Sequence, residues 1–244
     1  MEIDKRTNAE ICAIVSSLKW YLTDLHMIGI TDWPQKPRQH NTSIAIETAD
    51  DSERADPEQT LVAIRNDMGD CTRCRLHLSR TTIVYGDGSP QARLVFVGEG
   101  PGFDEDQQGR PFVGRAGKLL DKMIKALGLR REEVYICNVV KCRPPDNRTP
   151  LQDEAQTCSQ FLFRQLEAIT PGVICALGAC AAQTLLATTK SISSLRGKRH
   201  SWRGMPLICT FHPAYLLRNA SQKASAWQDL LLIHGILTGH QEGK

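Results

Sequence analysis

Two sets of side chains in this 244-residue chain have the types and spacing to do chemistry. The first is sulfur. Cys71 and Cys74 are separated by two residues, so both thiolates can reach one metal centre, and Cys142 and Cys158, fifteen residues apart, supply two more. Four thiolates suit either a tetrahedral zinc or a [4Fe–4S] cluster, and spacing alone does not choose between them. The second set is a carboxylate, an amide and an imidazole, each following an apolar run: Glu99 after Leu94–Gly98, Asn138 after Val134–Cys137, and His212 after Leu207–Phe211. A carboxylate can orient water or offset a developing cation. A carboxamide donates and accepts in one plane, and an imidazole can donate near neutral pH.

Such groups work only if the backbone brings them together. Leu94–Val97, Val134–Val140, Val173–Leu177 and Pro206–Phe211 are short apolar runs of the kind that form buried strands. Between and after them lie helical patterns. Arg115–Gly128 carries Leu119, Leu120, Met123, Ile124 and Leu127 on one face; Leu151–Ile169 follows Pro150 and precedes Pro171-Gly172; small residues run from Gly178 to Leu186; and Trp227, Leu230, Leu231, His234 and Leu237 mark a last helix. Strands alternating with helices predict an α/β fold with a four-stranded, mainly parallel central sheet and helices on both faces. Ligands of such sheets sit beyond the carboxyl ends of the strands, where Glu99, Asn138 and His212 are expected to converge. The turn Gly98-Glu99-Gly100-Pro101-Gly102 superficially suits a dinucleotide. A dinucleotide turn opens directly into a helix, whereas an acidic loop of roughly ten residues is expected here before the helix, and Glu99 repels phosphate.

Upstream the pattern changes. Residues 1–33 predict a helical extension, with Ile11, Ile14, Val15, Leu18, Leu22 and Leu25 at helical spacing, and residues 34–59 an acidic flexible linker, leaving 60–244 as the main domain. The tethered helix can dock on that domain or on a protein partner. A net charge of +3 argues only weakly for nucleic acid. No apolar run approaches the ~18–20 residues of a membrane span. The polar, acid-bearing start MEIDKRTNAE is unlike a signal peptide. The expectation is a cytoplasmic monomer, in which nine cysteines do not build a disulfide framework. Cys12, Cys137, Cys175, Cys180 and Cys209 lie in apolar segments and read as inert packing residues.

Taken in order, Gly98-Glu99-Gly100-Pro101-Gly102, Gly109-Arg110-Pro111-Phe112-Val113-Gly114, Asn138–Pro145, Asn147-Arg148-Thr149-Pro150 and His212–Arg218 resemble the motifs of the family-four uracil-DNA glycosylases, which carry an iron–sulfur cluster. The resemblance spans Cys71 to about Leu237. It implies a [4Fe–4S] cluster on Cys71, Cys74, Cys142 and Cys158, uracil-containing DNA, single- or double-stranded, as substrate, and hydrolysis of the bond from uracil N1 to the sugar C1′. A non-catalytic iron–sulfur or zinc module that binds nucleic acid in a repair or replication assembly is the alternative.

Uracil must be flipped out of the duplex before this chemistry, and negative charge builds on it as the bond breaks. By the resemblance, Phe112 stacks on the base, Asn138 reads its edge, and His212 donates to O2. Glu99 orients water, with Asp104 and Glu105 as competitors, and the amides of Gly100 and Phe103 help hold base or water. His212–Arg218 is the intercalating loop, with Leu216 or Leu217 as wedge and Arg218 on a phosphate. Arg143, Arg148, Arg196 and Lys198 line a phosphate track together with Arg199, His200 and Arg203 around Trp202. The Lys/Arg-rich insertion by which a related branch traps uracil on a histidine is absent after Asn138–Pro145, and no lysine is evidently placed for lyase chemistry. A monofunctional, water-dependent glycosylase is expected.

Overall fold

A computed structural model describes residues 56–239. The expected N-terminal helix and most of the linker lie outside the described residues. The four apolar runs form the parallel centre of a sheet: β2 (Leu94–Gly98), β3 (Tyr135–Asn138), β4 (Val173–Leu177) and β6 (Met205–Thr210). Two strands not expected from sequence flank it, β1 (Asp87–Gly88) and β5 (Arg199–Trp202), giving the order β1-β3-β2-β4-β6-β5. Both edge strands are antiparallel. Each pairs along one side only, and neither carries the apolar run that marks a buried strand. The register sets the active end: Gly98 of β2 lies beside Asn138 of β3, and Leu177 of β4 beside Thr210 of β6.

Alternate residues of the buried strands feed two cores. On one face Val95, Val97, Cys137, Ile174, Ala176, Leu207 and Cys209 pack with residues of α1 (Pro57–Met68), α4 (Gln152–Ile169) and α5 (Ala179–Leu186). On the other Leu94, Phe96, Ile136, Cys175 and Ile208 pack with α3 (Arg115–Ala126), α7 (Pro213–Arg218) and α8 (Lys223–Thr238). Helices therefore cover both faces, as the strand–helix alternation predicts. Cys137, Cys175 and Cys209 are buried, whereas Cys180 is half-buried on α5; Cys12 lies outside the described residues. Among the described residues no helix is long and apolar enough to cross a membrane.

The acidic stretch after Gly102 is not a loop. It forms α2 (Phe103–Gln108), in which the Glu105 and Asp106 carboxylates are tied to neighbouring backbone. Glu105 Oε2 accepts from Gly102 N at 3.1 Å, while its Oε1 accepts from Val113 N and Gly114 N at 2.9 and 3.0 Å. Asp106, 1% exposed, accepts from Thr81 N and Thr82 N. The dinucleotide reading thus fails for a different reason from the one the sequence suggests. A helix does follow the turn closely, but the Gly102 amide of that turn is already engaged by the chain's own Glu105. Short α6 (Ile192–Leu195) leads to β5.

Candidate active site

The ends of β2, β3 and β6 open into a cavity of about 500 Å³. Glu99, Gly100, Phe112, Asn138 and His212 all line it, together with Asn147, Arg148, Thr149, Tyr215 and Arg218. Asn138 is 1% exposed, and its Oδ1 is the one buried side-chain polar atom without a hydrogen-bond partner among the described residues. An unsatisfied buried acceptor costs about 1–3 kcal/mol, which a ligand donor can recover. Gly98 makes room for this group: a Cβ there would press into Asn138 Oδ1 and come within 2.6 Å of Phe112 Cζ. The glycine is therefore required by close approach of the amide and the ring over the strand end.

Phe112 is held in a left-handed conformation, φ 53°, which a bulky side chain adopts only under constraint. The constraint is visible. Arg131 donates to the carbonyls of Pro111 and Phe112 at 2.6 and 3.2 Å and pairs with Asp121 at 2.6 Å, while Glu105 holds the next two amides. The ring centroids of Phe112 and His212 lie 5.6 Å apart. His212 caps α7: its Nδ1 accepts from Ala214 N at 3.1 Å, which makes Nε2 the N–H donor of the neutral ring. Burial, with the charge of Arg218 nearby, lowers its pKa to about 4. Gly178 (φ +92°) supports it from β4; a Cβ there would lie 3.0 Å from His212 Cβ. Burial pushes the Glu99 carboxyl above its ordinary range, opposed by a hydrogen bond from the Thr149 side chain.

The remaining sequence candidates divide. Leu216 of α7 is buried in the core, at 2% exposed, so of the two leucines only Leu217, 41% exposed, is turned outward. Arg218 lines the cavity. Arg148 also lines it, but its guanidinium is paired through both nitrogens with the fully buried Glu154, at 2.7 and 2.8 Å. Arg143 stands over the Phe103 ring at 5.1 Å and donates to Asn147 Oδ1 at 2.8 Å. Arg196 is turned inward: it grips buried Asp229 through Nε and Nη2 at 3.0 and 2.9 Å, and Thr210 donates to the same carboxylate at 2.7 Å. Lys198 is exposed. His200 is turned back to the Leu195 carbonyl, and Arg203 pairs with Glu167 and covers Trp202. Within the basic run Arg196, His200 and Arg203 are thus engaged by the protein itself, whereas Lys198 and Arg199 are exposed. Phe103 does not line the cavity; its side chain is exposed beside it. Asp104 is exposed and Glu105 is occupied as a clamp, leaving Glu99 as the acid at the strand end.

A buried residue behind the site is not among the sequence candidates. Lys141 is 1% exposed, and its Nζ donates to the Asn138 carbonyl at 2.8 Å and to Gln165 Oε1 at 2.6 Å. Gln165 in turn donates to the Tyr85 carbonyl and the Tyr135 hydroxyl. The only signal was a lysine three residues after an asparagine in an otherwise apolar segment.

Cys71, Cys74, Cys142 and Cys158 line one small cavity with Met68, Ile83, Lys141 and Phe161. Three donors already point at their sulfurs: Arg73 at Cys71 (3.3 Å), Arg80 at Cys142 (3.4 Å) and Lys141 N at Cys158 (3.3 Å). Among the described residues, no three His, Cys, Asp or Glu side chains are gathered tightly enough to hold a single ion. The donor set and its N–H···S partners fit a thiolate-held group.

Comparison with known proteins places residues 85–231 in a match to the Uracil DNA glycosylase superfamily. A type-4 uracil-DNA glycosylase of Thermotoga maritima is 52% identical over 168 residues, covering 68% of this chain and 88% of that protein. One from Archaeoglobus fulgidus is 46% identical over 167 residues, 65% of this chain and 84% of that protein. A type-5 uracil-DNA glycosylase of Pyrobaculum aerophilum is 32% identical over 154 residues, 55% of this chain and 67% of that protein.

Proposed function

The chain belongs to the uracil-DNA glycosylase superfamily, and on that premise we propose that it excises uracil from DNA by base flipping and water attack, leaving an abasic site. The observation that carries this reading is the orphaned Asn138 Oδ1, buried in the cavity beside Phe112. Uracil offers N3–H to that oxygen and O4 to the amide nitrogen. Cytosine presents an acceptor at N3 and a donor at C4, so the same amide, held in this orientation, mismatches both. The lysine behind Asn138 fixes the backbone from which this amide projects, because its Nζ holds the Asn138 backbone carbonyl.

Phe112 stacks on the flipped base. His212, neutral above about pH 4, donates Nε2–H to uracil O2 as the glycosidic bond lengthens and charge moves onto the ring. A neutral donor needs no proton transfer for this. Glu99 as carboxylate orients water toward C1′ and offsets the positive charge building on the sugar. The backbone of Gly100 contributes to the cradle. Leu217 fills the gap left in the duplex, and Arg218 and Arg143 contact phosphates. Lys141 gives no support to Schiff-base chemistry: its nitrogen is engaged behind the reader by Asn138 and Gln165.

Cys71, Cys74, Cys142 and Cys158 would hold a [4Fe–4S] cluster. When bound it supplies a cross-link between the segment before β1 and the loop after β3, which carries Arg143 to Thr149. Four thiolates would also suit a single zinc; the resemblance of the motifs to the family-four enzymes favours the cluster. Acting on DNA, the enzyme would work inside the cell, and we propose that it does so as a monomer. Incubation with a uracil-containing oligonucleotide followed by alkali tests the activity: strand breaks at uracil support it, and their absence on both single and double strands refutes it.

A further inference from the structure

Phe103 is 56% exposed, an apolar ring left in water beside the cavity. It is the first residue of α2, adjacent to the cavity-lining Gly102. The Arg143 guanidinium stands 5.1 Å from its centroid, and Arg143 is itself fixed by Asn147 Oδ1 at 2.8 Å and by Ser79 Oγ on its carbonyl at 3.3 Å. Pro144, the next residue, and Asn147, its hydrogen-bond partner, line the cavity. One ring face is thus covered by a planar cation, and more than half of the residue stays open. Exposed Leu78, at 79%, has no comparable partner and belongs to the segment Arg75–Leu78, next to Cys74.

We propose that Phe103 and Arg143 form a stacking platform for an unpaired nucleobase adjacent to the flipped uridine. The occupant follows from the chemistry: a base has a π-face for the open side of the ring, and its phosphate meets the arginine. In a duplex the neighbouring base remains stacked on its own helix, so the platform acts mainly on single strands. The proposal rests on reading the cavity as the uracil site.

The test compares wild type with Phe103→Ala and Phe103→Trp, both of which keep the backbone amide. Substrates are a single-stranded uracil oligonucleotide, the same strand with abasic spacers flanking the uracil, and a duplex. Phe103→Ala is expected to raise KM on the natural single strand by roughly five- to 150-fold, the worth of one base–aromatic stack. Its kcat should stay within twofold, and on the spacer-flanked strand it should match wild type. Phe103→Trp should restore KM and show fluorescence quenching, relative to wild type, only with natural flanking bases. An unchanged KM for Phe103→Ala overturns the proposal, and so does a loss that persists on the spacer-flanked strand. If wild type releases no uracil at all, it is the reading of the cavity that fails.

Discussion

Glu99 and His212 sit in one cavity with opposite protonation demands, and their shifts make those demands compatible. His212 must be neutral to donate Nε2–H, and burial holds its pKa down to about 4. Glu99 must be ionised to orient water, and burial raises its pKa. As pH falls, Glu99 therefore protonates first, above the usual carboxylate range, while His212 is still neutral. The expected profile of excision rate has an acid limb set by Glu99, which Glu99→Gln removes along with roughly 10²–10⁴ of the rate. A limb that survives in Glu99→Gln contradicts this assignment. His212→Ala is expected to cost roughly 10²–10³ in kcat, the worth of one donor to a developing anion. Asn138→Ala should lose excision comparably, with uracil-DNA affinity nearly kept in both; equal losses in binding and rate would mean a binding role instead. Gly98→Ala should behave like Asn138→Ala, because its methyl displaces both the reader and the Phe112 ring. These residues were legible because each stands at the end of an apolar run. Lys141 and Arg131 were not, since what matters about them is a contact with a carbonyl, and any lysine or arginine can make one.

At the scale of elements, α7 carries two adjacent leucines with different fates. Leu217→Ala is expected to slow excision in duplex DNA while leaving thermal stability nearly unchanged. Leu216→Ala removes a buried side chain and should cost about 2–5 kcal/mol of stability. Melting curves beside duplex excision rates separate the two, and the reverse pattern would move the wedge to Leu216. The end of β6 is held by Asp229, which accepts from Thr210, Arg196 and Gly197. Asp229→Ala leaves a half-buried guanidinium unpaired and is expected to cost about 3–5 kcal/mol by chemical denaturation. The central strands were readable because burial on both faces makes them uniformly apolar. β5, with the sequence RHSW, and the two-residue β1 were not, because an edge strand has no such pattern. The acids of α2 read as solvated loop for a related reason: in sequence, a carboxylate that clamps backbone amides is indistinguishable from one facing water.

Over the whole molecule, two separate functions meet in the segment Asn138–Cys158. It begins at Asn138, the proposed base reader, passes behind it through Lys141, and supplies two of the four cysteines proposed to hold the cluster. Loss of the metal group is therefore expected to disorder the cavity wall from Pro144 to Thr149 as well as the cysteine site. Cys142→Ala should lose the brown colour and the iron, about four per chain in wild type, and should lower both melting temperature and DNA affinity. Full affinity and stability in that variant would separate the metal group from the wall. The sheet and the pairing of strand ends followed from the order of elements, whereas the division of the basic residues into phosphate contacts and internal ion pairs depended on tertiary partners such as Asp229 and Glu154. The central claim is that the Asn138–Phe112–His212 cavity releases uracil. Its most direct test measures free uracil and alkali-labile breaks from an oligonucleotide carrying one uracil, with a thymine-containing strand as control. Release from the uracil strand alone, lost in Asn138→Ala and in His212→Ala, is the expected result; no release from either single- or double-stranded uracil DNA by the metal-loaded protein contradicts it.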